Sequence, residues 1–317
     1  MGYKLAGYRV AGCVDVDPRM IELYKANLHP PLAYLTDIRD FVKRDDLPDN
    51  LYKLDVLDGS PPCTVFSTAG KREKDWGKSR DYAEGAVRQT LDDLFFHYLD
   101  LVGKLRPKVF IAENVTGLVM GNAKGYVNEI IKKAHSIGYS VQLFKLNAAM
   151  MGVPQMRERV FFVGNRCGFG KLTLDFHEPV ITFGDIRSEH GLPRELPNSV
   201  QDLLNNYWKP GELFLKKAYC RKMRDWSKNA YFSTAVLYDN RPVNTQTSTT
   251  QHTAWFIRAC DKKWMSNHDM VSAQTFPQDY DFGSDKPEIV KYVTGMSVPP
   301  VMLAQIASAV KEQWLNV

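Results

Sequence analysis

The segment LDVLDGSPPCTVFSTAGK, residues 54–71, indicates both the type of fold and the place where chemistry is expected. Its apolar start predicts a short buried strand, which Gly59, Ser60 and two prolines end abruptly. Cys63 follows the carboxyl end of this strand, where open α/β sheets bind their ligands. Two interpretations are open for Cys63: a nucleophile presented to a ligand, or a small side chain packed in the core, as free cysteines usually are.

Composition limits the class of protein. The chain has 317 residues, 44% of them hydrophobic, with a mean hydropathy of −0.33, which suits one large domain and one smaller domain. No apolar run approaches the ~20 residues of a membrane span, and the first residues lack a signal-peptide core. We therefore expect a cytoplasmic protein without a membrane partner. The five cysteines show no CxxC spacing, which argues against a disulfide framework and a zinc site.

Alternating apolar patterns predict the fold class. Continuous apolar runs at Tyr8–Val14, Lys108–Val115 and Tyr139–Leu146 are typical of buried strands. Residues Leu91–Leu105 and Gly125–Gly138 have helical spacing. This alternation predicts an α/β protein with a mostly parallel sheet and helices on both faces.

Acidic residues stand where several of these strands end. Asp15 and Asp17 follow the run Tyr8–Val14, and Asp37 lies where a second strand is expected to end. Glu113 and Asn114 lie near the end of the run Lys108–Val115. A rim carboxylate can accept hydrogen bonds from ribose hydroxyls or act as a general acid. It can equally cap the following helix. The residues alone leave both roles open.

Two arginines precede the strand predicted at Val160–Val163. Arg157 and Arg159 alternate with Met156 and Glu158, so in an extended backbone they point the same way. Such a pair forms an anion or carbonyl clamp, although strand ends also carry arginine for solubility. The polar stretch Ser67–Arg88 has a similar ambiguity, because it reads either as a lid or as an ordinary solvated loop.

A change in composition after Asn165 predicts a second, less regular domain. We expect a catalytic domain at 1–167, a second domain at 168–253 and a carboxyl-terminal segment, 254–317, that packs back on the first. Within the second domain, residues 216–228 carry a net charge of +5, which equals that of the whole chain. This segment is either a solvated helix face or a surface for phosphates. Its basic residues are Lys216, Lys217, Arg221, Lys222, Arg224 and Lys228.

The order of five short motifs resembles that of the cytosine-C5 DNA methyltransferases. The motifs are Pro62-Cys63 with Phe66-Ser67, Glu113-Asn114-Val115, Gln155-x-Arg157-x-Arg159, Gln274-x-Phe276-Pro277, and Gly295-x-Ser297-Val298-Pro299-Pro300. The resemblance runs from about Tyr8 to the carboxyl terminus. It implies a Rossmann-like, S-adenosylmethionine-dependent sheet and a smaller target-recognition domain. The expected partner is double-stranded DNA, bound by a bacterial or phage-encoded monomer without a metal.

The resemblance also assigns roles. Cys63 would add to C6 of the cytosine, Glu113 would act at N3, and Arg159, supported by Arg157, would hold O2. Because C6 is inaccessible in a duplex, the base must be flipped out, which favours the lid interpretation of residues 67–88. The expected DNA contacts are Ser67, Lys71, Arg72, Gln155 and the basic residues at 216–224.

The cofactor residues follow from the same match. Asp15 would bind the ribose hydroxyls and Val16 would contact the adenine. The remaining expected positions are Asp37, Ile38, Leu94 and Ser297. Met296 stands where the family usually has asparagine, which is expected to weaken a contact beside the cofactor or the flipped nucleotide.

The family's first strand and its F-x-G-x-G-G turn have no counterpart in the sequence, which starts within the helix that should follow them. We therefore expect this polypeptide, as it stands, to bind S-adenosylmethionine poorly or not at all. Calorimetric titration with the cofactor tests this expectation. A dissociation constant in the micromolar range would contradict it.

Three functions are compatible with the motifs. The first is DNA cytosine-C5 methylation, as in a restriction–modification system. The second is a catalytically silent DNA-binding remnant. The third, methylation of transfer RNA, is disfavoured because that branch usually has Cys-Phe-Thr where this chain has Val65-Phe66-Ser67.

Overall fold

A computed structural model describes residues 1–62, 93–120, 124–251 and 254–316 of the chain. The chain forms two compact units. Unit 1 comprises Met1–Leu5, Ala148–Arg157 and Phe176–Gln305, and unit 2 comprises Ala6–Asn147, Glu158–Asp175 and Ile306–Val317. The domain boundaries expected after residues 167 and 253 stay a prediction.

The secondary structure alternates between strands and helices in the first half of the chain. The strands are β1 (Gly12–Asp15), β2 (Leu32–Leu35), β3 (Val56–Gly59), β4 (Val109–Val115), β5 (Ser140–Asn147), β6 (Gln155–Met156), β7 (Glu158–Asn165), β8 (Val236–Leu237), β9 (Val243–Asn244) and β10 (Ile257–Arg258). The α-helices are α1 (Gly2–Leu5), α2 (Pro18–Leu28), α3 (Ile38–Phe41), α4 (Leu94–Leu105), α5 (Lys124–Ser136), α6 (Phe183–Ile186), α7 (Asn198–Asp202), α8 (Lys216–Met223), α9 (Asn267–Ala273), α10 (Pro287–Met296) and α11 (Pro300–Val310).

Unit 2 contains two sheets among its described residues. β1 and β2 pair in parallel, and a four-stranded sheet has the order β3-β4-β7-β5. β3 and β4 are parallel, whereas β7 is antiparallel to both β4 and β5. The α/β class with a Rossmann-like sheet is confirmed. The expectation of a mostly parallel sheet is corrected in one respect, because β7 runs against both of its neighbours.

Helix α4 fixes the ends of β3 and β4 relative to each other. Tyr98 on α4 is buried, and its hydroxyl donates to the carbonyl oxygens of Leu57 at 2.9 Å and Ile111 at 3.1 Å. A Cβ on Gly59 would lie 2.6 Å from the Tyr98 ring, so only glycine permits this approach. The core continues through Phe110 and Phe162, both 0% exposed. The two strand ends that carry the predicted chemistry are therefore rigidly placed.

Unit 1 is built from short elements, as its composition predicts. Its core contains Trp255, Trp264 and Phe183, all nearly inaccessible to solvent. Two small parallel pairs support it, β6 with β9 and β10 with β8. The β6–β9 pair matters for the site because β6 begins with Gln155.

One apolar segment satisfies a length-and-composition test for a membrane span. It covers 29 residues from Pro287 to Leu315, and half of its most apolar window is buried within the structure. α10 ends at Met296 and α11 begins at Pro300, so the segment is interrupted. Burial of this kind is typical of a core helix, and the segment is weak support for a membrane location.

Candidate active site

The described part of the predicted catalytic set centres on β4 and β7 in unit 2. The antiparallel register pairs Val115 with Arg159 and Glu113 with Phe161, so Glu113 and Arg159 are diagonal neighbours on one face. The Nε of Arg159 lies 2.8 Å from Oε1 of Glu113, with 14% and 15% of the two side chains exposed. Arg159 also donates from Nη1 to the carbonyl oxygen of Glu158 at 2.8 Å. An acid and a guanidinium are thus held side by side at a partly accessible position.

Asn114, near the end of β4, holds the segment before Cys63 by a hydrogen bond. It is 4% exposed, and its Nδ2 donates to the carbonyl oxygen of Pro61 at 3.0 Å. Its Oδ1 accepts from the amide of Val115 at 2.9 Å. Pro61 is two residues before Cys63 in the sequence. The described chain is therefore anchored to the end of β4 just before the predicted nucleophile.

Several predicted site residues lie outside the described residues. They are Cys63, Ser67, Lys71 and Arg72, together with the rest of the 67–88 stretch.

The first two rim acids have different roles. Asp17 caps α2, where its side chain accepts from the Arg19 amide at 2.9 Å and pairs with the Arg19 guanidinium at 2.6 Å. These hydrogen bonds from Arg19 hold the pKa of Asp17 below its ordinary value. Asp15 is exposed at the end of β1, and its Oδ1 accepts from the Asp17 amide at 2.8 Å. The capping interpretation applies to Asp17, and Asp15 is the acid at the rim.

The next rim acid serves as a helix cap. Asp37 accepts from the Arg39 amide at 2.8 Å at the start of α3, and its carboxylate pairs with the Arg39 guanidinium at 2.7 Å. The Arg39 side chain holds the pKa of Asp37 below its usual range. Ile38 follows at the start of α3 and packs against the unit 2 core. Leu94 begins α4 and is 7% exposed, while Val16 is 39% exposed.

Arg157 lies in unit 1 and is 1% exposed. Its Nη1 donates to the carbonyl oxygen of Gln246 at 2.7 Å, and its Nη2 donates to that of Gly295 at 3.0 Å. This burial suits the supporting role expected for Arg157 rather than direct contact with a substrate. Its partners are 89 and 138 residues away in the sequence, so no local pattern could have identified them.

Gln155, expected to contact DNA, is fully buried in unit 1. Its Nε2 donates to Oε1 of Gln274 at 2.7 Å and to the carbonyl oxygen of Ala273 at 3.2 Å, and its Oε1 accepts from the amide of Gln246 at 3.0 Å. The expectation of a DNA contact is corrected here, because both ends of the amide are occupied inside the unit. Sequence reasoning missed Gln246, which is 3% exposed; Gln274 was noted only as a motif position.

The remaining predicted cofactor residue, Ser297, ends α10 in unit 1. Its Oγ donates to the carbonyl oxygen of Val293 at 2.7 Å, and its own carbonyl oxygen accepts from Nε2 of Gln274 at 2.6 Å. The neighbouring Met296 is 55% exposed. The hydroxyl of Ser297, at the C-cap of α10, is thus bound to that helix, and Met296 next to it faces solvent.

Lys291 on α10 is a buried cation that sequence reasoning missed, although its place beside Val290 and Val293 was a visible signal. It is 5% exposed, and burial lowers its pKa to about 8. Charged side chains on the surrounding elements are paired elsewhere. Arg194 lies 2.6 Å from Glu288 on α10, and Arg258 lies 3.1 Å from Asp269 on α9.

The lowered pKa of Lys291 predicts how stability depends on pH. Between the folded value of about 8 and the ordinary value of 10.5, the unfolded chain binds more protons, so the free energy of unfolding should rise with pH. Relative to Lys291→Met, we expect the native protein to gain up to about 3 kcal/mol across this window. Urea unfolding at a series of pH values measures the difference. Parallel curves for the two proteins would contradict the lowered pKa.

The basic segment forms α8, but acids from neighbouring segments neutralise part of it. Arg221 pairs with Glu212, and Lys222 lies 2.8 Å from Asp202. Lys216 makes a cation–π contact with Phe232, with Nζ 5.7 Å from the ring centroid. Lys217 and Arg224 are exposed, as are Trp226 at 65% and Phe232 at 58%. Of the predicted DNA contacts at 216–224, Lys217, Lys222 and Arg224 are exposed, and Lys222 is paired with Asp202.

Across the described ranges, no group of three or more histidine, cysteine, aspartate or glutamate side chains could hold a metal ion.

The profile of the family described as C-5 cytosine-specific DNA methylase matches residues 1–312. The chain belongs to this family.

Curated relatives of this C-5 cytosine methylase chain include type II methyltransferases. M.HindV of Haemophilus influenzae is 26% identical over 323 residues, covering 98% of this chain and 91% of the relative. M.NgoPII of Neisseria gonorrhoeae is 32% identical over 167 residues, covering 52% of this chain and 44% of the relative, so the match spans less than half of that protein. A prophage-encoded E. coli protein assigned as a DNA modification methyltransferase has the same fold, with a TM-score of 0.66, 19% identity, and coverage of 100% of this chain and 95% of that one.

Proposed function

We propose that this chain transfers a methyl group from S-adenosylmethionine to C5 of a cytosine in double-stranded DNA. The observation that carries the proposal is the Glu113–Arg159 pair, at 2.8 Å, on adjacent strands of a chain of this family. N3 and O2 are neighbours on one edge of the cytosine ring. A carboxyl group and a guanidinium held side by side match these two atoms.

C5 of cytosine is a poor nucleophile until C6 is attacked. The Cys63 thiolate would form a bond from Sγ to C6 while Glu113 holds a proton at N3, so that the ring electrons move toward C5. Arg159 would donate to O2 and stabilise the negative charge that develops there. After methyl transfer, loss of the C5 proton and breakage of the Sγ–C6 bond restore the aromatic ring and the free thiolate.

When bound, S-adenosylmethionine supplies an electrophilic methyl group on a sulfonium. The residues at the rim of unit 2 fit its adenosine part. Asp15 is an exposed carboxylate at the carboxyl end of a parallel strand, the position used for ribose hydroxyls. Val16, which is 39% exposed, offers apolar surface for the adenine, and the largely buried Leu94 is the apolar residue proposed to lie behind it.

The exposed basic and aromatic side chains of unit 1 support a DNA partner. Lys217 and Arg224 are available to phosphates, and Trp226 is available to stack. With bacterial type II methyltransferases among the relatives, we place the protein in the bacterial cytoplasm within a restriction–modification system.

Mass spectrometry of nucleosides tests the function. Because weak cofactor binding is expected, purified protein is incubated with a large excess of S-adenosylmethionine and mixed-sequence duplex DNA, and 5-methylcytosine is expected with the native chain but not with Cys63→Ser. Bisulfite sequencing of DNA from an expressing host then identifies the target sequence.

The same experiment separates the alternatives. DNA binding without 5-methylcytosine would favour the silent DNA-binding remnant, and product in transfer RNA but not in DNA would favour the third function. Duplexes with 5-fluorocytosine add a second readout, because fluorine at C5 blocks the final elimination and leaves Cys63 covalently attached.

A further inference from the structure

Lys291 is the most deeply buried lysine among the described residues, and the proposed mechanism does not use it. Lys291 lines a small cavity together with Trp255, Phe256, Met270 and Gln246. The Nζ donates to the carbonyl oxygen of Thr247 at 2.7 Å. Burying an ammonium group is unfavourable unless the group is hydrogen-bonded. The hydrogen bond to Thr247 offsets part of this cost.

Helix α10 is joined to residues 246–247 by two polar bridges. Lys291 forms the first directly. Arg157 forms the second, because its guanidinium binds the carbonyl oxygen of Gln246 at 2.7 Å and that of Gly295, on α10, at 3.0 Å. The two bridges close a ring that passes through Lys291, Thr247, Gln246, Arg157 and Gly295. The first bridge therefore helps to place the carbonyl oxygen to which Arg157 is bound.

Close backbone contact leaves this ring little freedom. A Cβ on Gly295 would lie 2.3 Å from the carbonyl carbon of Thr247 and 2.4 Å from the amide nitrogen of Ser248. Gln246 is held further by Gln155, and its Nε2 donates to the carbonyl oxygen of Met270 at 3.0 Å. The orientation of Arg157 is thus determined by the path of the chain at residues 246–248.

We propose that Lys291 is a positioning residue for methyl transfer, which fixes residues 246–248 against α10 and thereby orients the guanidinium of Arg157. The inference rests on the proposed function and concerns the same reaction. Only Glu158 separates Arg157 from Arg159, which the proposed mechanism assigns to O2, so a shift of Arg157 should disturb the start of β7 and slow the step that uses Arg159.

A double-mutant cycle tests whether Lys291 acts through Arg157. We expect Lys291→Met to lower kcat about 10- to 100-fold, as small misplacements of catalytic groups do, with KM for DNA changed less than about threefold. Adding Lys291→Met to Arg157→Met should cost less than about threefold more. Lys286→Met removes an exposed lysine just before the same helix and should behave as the native protein. Additive losses, or a loss confined to KM, would overturn the proposal.

Hydrogen exchange provides a readout that does not need activity. The amide of Gln246 donates to Gln155 and is expected to exchange about tenfold or more faster in Lys291→Met than in Lys286→Met, with α9 unchanged. Lys291→Gln, which keeps a neutral donor, is measured in parallel in case the methionine variant does not fold. Unchanged exchange at residues 245–248 would overturn the proposal. Absence of methyl transfer by the native chain would instead contradict the proposed function, while the exchange data would still decide the role of Lys291.

Discussion

Replacing Glu113 with glutamine is expected to lower kcat for methyl transfer by about 10²- to 10⁴-fold, the usual contribution of a positioned general acid. Glutamine keeps the size of the side chain and can still accept a hydrogen bond from Arg159, 2.8 Å away in the native pair. It cannot deliver a proton to N3. The loss should therefore appear in the chemical step, measured by single-turnover methyl transfer at saturating DNA.

Glu158→Gln is the matched control for this experiment. Glu158 begins β7 next to Arg159, and it forms an ion pair of its own with Lys145 at 3.0 Å, but 48% of its side chain is exposed. Its replacement should change kcat less than about threefold, in line with the small energies of surface ion pairs. Comparable losses in the two variants, or a loss in Glu113→Gln explained by a lower melting temperature, would contradict the assigned role of Glu113.

The sequence was most informative where an element is defined by its own residues. The apolar run predicted at 108–115 forms β4 at Val109–Val115, and the run predicted at 139–146 forms β5 at Ser140–Asn147. Elements that depend on distant partners were placed less well. The strand expected from Tyr8 is limited to Gly12–Asp15, because β2 offers only four residues for pairing. Helix α9 begins at Asn267, where Ser266 and Asp269 form a capping box.

The residues of the candidate site also differ in how well the sequence predicts them. Glu113 and Arg159 are two positions on strands whose apolar patterns are visible, so their pairing follows from adjacent strands in register. The roles of Asp15 and Asp17 could have been separated from the sequence, because Pro18 at the first helical position is a capping signal for the residue before it. The burial of Gln155 and Arg157 could not have been predicted from the sequence, because their partners come from segments about 90 to 140 residues away.

A buried ion pair in unit 1 is the feature whose loss should most affect stability. Arg258 and Asp269 are both 0% exposed, and Nη1 of the arginine lies 3.1 Å from Oδ2 of the aspartate. Asp269 also accepts from the amides of Ser188 at 2.6 Å and Ser266 at 3.0 Å. Arg258 donates to the carbonyl oxygen of Glu189 at 3.2 Å. The pair therefore joins β10, α9 and the segment after α6.

Replacing Asp269 with asparagine should lower the free energy of unfolding by about 3 kcal/mol, because the buried Arg258 charge then keeps only one counterion among the described residues, Asp261, which is 26% exposed and whose Oδ1 lies 3.4 Å from Nε. This is a large fraction of the ~5–15 kcal/mol that stabilises a typical domain. Asp202→Asn makes the same chemical change at a more exposed pair, in which Asp202 is 35% exposed and lies 2.8 Å from Lys222, and it should cost at most about 1 kcal/mol. Urea unfolding followed by the fluorescence of the buried tryptophans measures both. A double variant, Asp269→Asn with Arg258→Met, should recover part of the loss, since no unpaired buried charge remains and the asparagine oxygen can still accept from a backbone amide. Equal losses at Asp269 and Asp202 would show that the pair is not screened from water.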